Sequence, residues 1–166
     1  MRCSIGAAVV VASLLSLLTS DAAAAGQTGS CAVTPPNQSP LPDLVRSRAA
    51  VPAADMFRHG NSQIWTSLWP EGNVVFRKAG PGFVLPDGSL KMKFLWVMAG
   101  DGPLTVEGRR LDGEARPLRA EIFDGFVGRG FQPSYLIFAT PGCWEVTAKS
   151  NGSALTFVTR VTTEGY

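Results

Sequence analysis

Pro141-Gly142-Cys143-Trp144-Glu145-Val146-Thr147, followed by the alternating run 154–161, decides the fold. Pro-Gly punctuates a turn. Beyond it Trp144 and Val146 fall on one face of a strand, and Leu155, Phe157, Thr159 and Val161 fall on one face of the next. Two adjoining segments with period-two alternation, each offering an apolar face, read as the closing hairpin of an antiparallel sandwich.

Working back toward the N-terminus, the same period holds from Gln63 onward. Segments 64–69, 74–77, 83–85, 90–98, 104–110, 118–122 and 135–139 read as short strands before the final pair. The clearest is 90–98, where Leu90, Met92, Phe94, Trp96 and Met98 point one way and Lys91 and Lys93 the other. Four Asp-Gly pairs (Asp87-Gly88, Asp101-Gly102, Asp112-Gly113 and Asp124-Gly125) fall between these segments. Asp-Gly supplies the positive φ values of tight hairpin turns, so the chain is expected to run as a β meander. Seven to eight strands at this spacing point to an all-β, antiparallel two-sheet sandwich.

Residues 1–25 are set aside before any fold reasoning. Arg2 precedes an apolar stretch, 5–18, and A-x-A sites follow at 22–24 and 23–25: a secretory signal peptide. The stretch is shorter than the roughly 18 residues a membrane span needs, and no later segment approaches that length. Residues 26–62, with Pro35-Pro36, Pro40, Pro42 and Pro52, read as a Pro/Ser/Ala-rich arm, with a weak amphipathic patch at 41–48. Residues 63–166 form the sandwich domain. Of the 3 cysteines, Cys3 leaves with the signal; Cys31 and Cys143 remain, an even pair in a secreted or periplasmic chain, and read as a disulfide. A nucleophile or metal-ligand role would need a base or further ligands, and the chain has 1 histidine. A net charge of +2 argues against a nucleic-acid or anionic-membrane surface.

Ser134, Phe138, Gly142, Trp144 and Val146 compose an S-x-x-x-F-x-x-x-G-x-W-x-V pattern, and Leu68-Trp69-Pro70-Glu71-Gly72 and Gly80-Pro81-Gly82-Phe83-Val84-Leu85 precede it. With these the chain resembles exported bacterial immunoglobulin-like β-sandwich domains of uncharacterised activity. The resemblance implies an Ig-like sandwich, with Trp144 as the corner aromatic and Val146 in a core slot. It brings no catalytic motif, so no functional residue is carried over. Cys143 precedes Trp144 and so faces away from the core, which suits a bridge to the arm.

The chemistry-bearing residues favour a non-catalytic binding or structural module. His59 sits in the polar stretch Arg58-His59-Gly60-Asn61-Ser62 and reads as a surface loop residue. Glu107, Glu121 and Glu145 lie on outward faces, placed to pair with Arg109, Arg119 or Lys149 across strands. Met92 and Met98 are in phase with core aromatics rather than metal ligands. No catalytic residue, cofactor or metal site is expected. Trp65 and Trp69 are separated by an even number and share a face: either an aromatic platform or a surface covered by the arm. With Asp124, Phe126, Arg129 and Phe131 of a Gly-rich loop, they form the candidate surface for a protein or glycan partner. Two other classes remain open: a small carbohydrate-active or other hydrolase using surface carboxylates, and an inhibitor or chaperone-like module capturing protein by strand addition. Pro70 and Lys78 point to protected sheet edges.

Overall fold

The structure is a computed structural model that describes residues 30–49, 54–126, 128 and 130–165. The signal peptide assigned to 1–25 lies outside the described residues. Ten strands build two sheets: β1 (His59–Gly60), β2 (Ile64–Thr66), β3 (Asn73–Arg77), β4 (Phe83–Val84), β5 (Leu90–Met98), β6 (Thr105–Arg110), β7 (Arg119–Ile122), β8 (Phe131–Phe138), β9 (Gly142–Ser150) and β10 (Ser153–Glu164). Among the described residues one α-helix, α1 (Asp43–Ala49), lies in the arm. The first sheet runs β1-β2-β5-β8-β7, with β4 also on β5; the second runs β3-β10-β9-β6. The chain is an all-β two-sheet sandwich. Of its strands only β1, two residues long, lies outside the expected segments; β4 falls within the expected 83–85.

The order of the strands departs from a meander. The connections β5–β6, β6–β7 and β8–β9 each cross from one sheet to the other. Asp87-Gly88 and Asp124-Gly125 close hairpins within the first sheet, and both glycines adopt φ 79°. Asp101-Gly102 and Asp112-Gly113 lie in crossing connections, and their glycines stay out of the positive-φ region. The tight β9–β10 turn is instead Asn151-Gly152, at φ 48° and 74°, with Ser150 opposite Ser153. That left-handed pair matches the twist of the flanking strands.

All pairings are antiparallel except β3 with β10. β2 and β3 are one extended run broken at a 3-10 turn, Pro70–Gly72. Pro70 opens the turn with its fixed φ, and Glu71 and Gly72 take φ 54° and 68°. The chain thereby passes from the first sheet to the second and arrives beside β10 in the same direction. A side chain at Gly72 would strike Val33 of the arm.

The core fills the space between the sheets with the alternate residues of β5, β9 and β10: Met92, Phe94, Trp96, Trp144, Val146 and Phe157 among them. Phe94 and Phe157 stack with centroids 6.2 Å apart. Each residue of the Ser-Phe-Gly-Trp-Val pattern has a physical part. Buried Ser134 accepts a 2.9 Å hydrogen bond from Trp96 Nε1. Phe138 meets Trp144 edge-on at 5.6 Å, and Trp144 Nε1 donates back to the Thr140 carbonyl at 3.0 Å. Gly142 has φ 147°, and a Cβ there would lie 2.5 Å from Arg110 Nε. Val146 is fully buried.

The arm straps both sheets. Cys31 is disulfide-bonded to Cys143, with Cα atoms 5.5 Å apart. Thr34 N–H donates to the Val158 carbonyl at 2.9 Å, and its hydroxyl accepts from Val158 N–H at 2.8 Å. Asn37 Nδ2 then donates to the Gly60 carbonyl at 2.6 Å. Finally Leu41, Ala49 and Phe57 pack over Trp65 and Val97, forming a second apolar cluster. β1 also lies N-terminal to Gln63, so residues of the arm complete the first sheet.

Candidate functional site

The two-tryptophan platform does not form. Trp65 is 1% exposed, sealed beneath Leu41, Ala49 and Phe57, with Nε1 donating to Ser39 Oγ at 3.3 Å. Trp69 is half-buried and packs against the core between the sheets instead. Even spacing places two side chains on one face only while the backbone stays extended. Here β2 ends at Thr66, and residues 67–69 leave the ladder ahead of the turn at Pro70–Gly72. In the Gly-rich loop Asp124 is exposed and Phe126 half-buried, its ring edge-on to Phe131 at 6.1 Å. Phe131 in turn stands edge-on to Phe57 of the arm at 6.5 Å. These aromatics anchor the arm. Arg129 lies outside the described residues.

What the break in β2 opens is an apolar groove of about 760 Å³, lined by Met56, Leu68, Trp69, Pro81, Met92 and Leu95, with Ser67, Asp55, Arg58 and Lys93 also on its walls. Its position follows from strand pairing along one edge of β5. β2 reaches as far as Trp96, opposite Thr66, and β4 as far as Lys91, opposite Phe83. Between them no strand of the described residues stands beside residues 92–95 on that edge. A proline lies beyond the window-side end of each flanking strand. Pro70 follows the departure of β2, and β4 begins only after Pro81, which in that register would face Lys93 without an N–H to offer.

The ladder also fixes which main-chain groups face the window. Met98 N–H donates to Gly130 at 2.7 Å on the β8 side, and Ala99 N–H donates to Gln63 at 2.9 Å on the β2 side. In an antiparallel ladder alternate residues present both main-chain groups to the same neighbour. The N–H and C=O of Lys93 and the N–H of Leu95 therefore point into the window. The Leu95 carbonyl, in the same phase, is already taken by Thr66 Oγ1 at 2.9 Å.

Most carboxylates on the sandwich faces are held by a nearby cation: Glu121 by Lys91, Glu145 by Arg109, Asp112 by Arg110, and Glu107 by Lys149. Asp87 is pulled down to about pKa 2, first by its hydrogen bonds from Ser89 and then by Arg116. These pairs are separate, and among the described residues no three His, Cys, Asp or Glu side chains converge as metal ligands. At the groove Lys93 and Arg58 have no ion-pair partner among the described residues, though Arg58 Nε donates to the Asp55 carbonyl at 2.8 Å. With one carboxylate, Asp55, against two cations, the rim is net positive.

Sequence reasoning missed Met56, Leu68, Pro81 and Lys93 as wall residues. The available signal was Pro70 and Pro81 flanking the expected strands at 74–77 and 83–85, since a proline that ends an edge strand also exposes its neighbour. Among the described residues no helix is long and apolar enough to cross a membrane. No protein-family model matches the chain, and no curated protein matches it. Among solved structures 22 chains match. One is domains 4 and 5 of the S-layer protein SbsC, at 12% identity and TM-score 0.37, over 55% of this chain and 42% of that one. The chain thus spans less than half the length of that S-layer chain, and a TM-score so low supports no inference about fold or activity.

Proposed function

We propose that this chain is an exported, non-catalytic binding module that holds a protein partner in the groove beside Trp69. The observation that carries the reading is the coincidence of an apolar cavity with an interrupted sheet edge. A pocket of several hundred Å³ with a few polar groups at its rim is the usual form of a binding site. Export is supported by the Cys31–Cys143 disulfide, since such bonds persist in oxidising compartments, and by the leader pattern in 1–25. The non-catalytic reading is supported by the dispersal of the carboxylates into separate ion pairs, away from any common cleft. A protein is favoured over a glycan because Trp65 is covered, leaving a single tryptophan at the site.

Ser67 lines the groove without belonging to the core, so Ser67→Arg fills the cavity and leaves the fold intact. The dye 1-anilinonaphthalene-8-sulfonate is expected to fluoresce with the native protein and to lose that enhancement with Ser67→Arg at an unchanged Tm. Equal enhancement in both proteins, or none in either, refutes the groove as the binding site.

A further inference from the structure

We infer that the groove takes its partner as an added strand: an extended polypeptide segment that fills the window of β5 between β2 and β4, carrying apolar side chains at alternate positions and a carboxylate beside them. This rests on the groove being the binding site, and it names the chemistry of the occupant. Three observations select it. The first is the main chain. Lys93 directs both its N–H and its C=O into the window and Leu95 its N–H, with no strand opposite among the described residues. A segment placed there continues a ladder already begun at both ends, and main-chain pairing at an exposed sheet edge is a general mode of peptide capture. A compact apolar molecule would fill the cavity and leave those groups unpaired at its wall, which costs affinity.

The second is side-chain phase. A strand sends successive side chains to opposite faces. In the window Met92 faces the core while Lys93 and Leu95 face outward. An added strand would therefore send one set of side chains toward Leu68, Trp69 and Met92, and the other beside Lys93 and Leu95. The third is charge. Lys93 and Arg58 stand at the rim without a carboxylate partner among the described residues. They complement an acidic residue flanking the apolar anchor.

The window opposes four residues of β5, 92–95, which at ~3.3 Å per residue is about 13 Å of strand, enough for the core of a short peptide. The test is amide hydrogen exchange of the purified protein, read by NMR, with a panel of short extended peptides. These carry Val, Leu, Ile or Phe at alternate positions, with Glu or Lys between. The expected result is that peptides with Glu slow exchange at the Lys93 and Leu95 amides by about tenfold or more. N-methylating alternate peptide amides should weaken binding about tenfold in one phase and leave the other phase unaffected. Lys93→Glu should reverse the preference from Glu to Lys peptides. Unchanged exchange at both amides with every peptide at millimolar concentration overturns strand addition. Binding that ignores the phase of methylation overturns it as well, and so does a Lys93→Glu protein that keeps the Glu preference. If Ser67→Arg still abolishes dye binding in any of these cases, the groove reading stands and only the strand is lost. If the dye is indifferent to Ser67→Arg, both fall.

Discussion

Neither ring nitrogen of His59 has a hydrogen-bond partner among the described residues, although the residue is 5% exposed and its ring stands edge-on to Phe157 at 6.2 Å. A polar neighbourhood in sequence pointed to a surface loop; β1 instead carries the side chain inward against β10. Burial lowers its pKa below the usual 6.5 by penalising the charged form. The unfolded chain then takes up a proton at a pH where the folded chain does not. The stability owed to neutral His59 is present in full above pH 6.5 and is lost as pH falls through the lowered folded value. The urea midpoint is expected to fall from about pH 7 to pH 5 and to flatten in His59→Leu, which also removes two unpaired buried nitrogens and gains ~1 kcal/mol. Identical pH slopes in the two proteins would contradict this. Ser134 is the opposite case, a buried polar group that is satisfied. Ser134→Ala strands Trp96 Nε1 and should cost about 1–3 kcal/mol in urea unfolding, largely recovered when Trp96→Phe removes the donor as well.

At the scale of elements, turn chemistry and proline placement decide where strands stop. Gly152 in the β9–β10 hairpin has φ 74° and open space where a methyl group would project, so Gly152→Ala isolates the backbone cost, about 1 kcal/mol. Gly113, in a crossing connection outside the positive-φ region, should tolerate alanine with little change in the same assay. The hairpin signal Asn151-Gly152 was present in the sequence beside the four Asp-Gly pairs, two of which serve crossings between sheets. Prolines were expected to protect edges. Pro81 holds β4 short of Lys93, and β2 ends at Thr66, ahead of Pro70, so the central β5 is left bare between them. Pro81→Val restores an N–H opposite Lys93 and should lengthen β4. Its expected signature is slow exchange at the Lys93 amide without any peptide, together with weaker dye binding. An unprotected Lys93 amide in that variant would show that proline does not hold the window open.

Over the whole molecule, the arm and its disulfide hold the two sheets as one body. Cys31 and Cys143 are 112 residues apart in sequence, so the bridge closes a long loop that holds β1 to β8, worth up to ~4–5 kcal/mol in the chain-entropy account. Cys31→Ser/Cys143→Ser should lower the urea midpoint accordingly and increase acrylamide quenching of tryptophan fluorescence as Trp65 is uncovered. Quenching and midpoint equal to those of the oxidised protein would mean that the apolar contacts of Leu41, Ala49 and Phe57 hold the arm alone. The ion pairs are mostly exposed and contribute little by comparison.

Alternation of apolar residues is a local property, and it determined the strands by itself: the expected segment 90–98 and the observed Leu90–Met98 coincide, and the inward faces of β9 and β10 follow from Trp144, Val146, Leu155 and Phe157. Two surviving cysteines likewise predicted their own bond. At the candidate site, Trp69 and the break at Pro70-Glu71-Gly72 were legible, and so was the outward face of Lys93. Tertiary structure alone decided which sheet each strand joins, that Trp65 is covered, that His59 is buried, and that Lys93 fronts an empty place in a ladder. Each of these depends on what a segment distant in sequence lays against the residue, and the parity that predicts a side chain's face ends wherever the backbone ceases to be extended, as it does between Thr66 and Asn73.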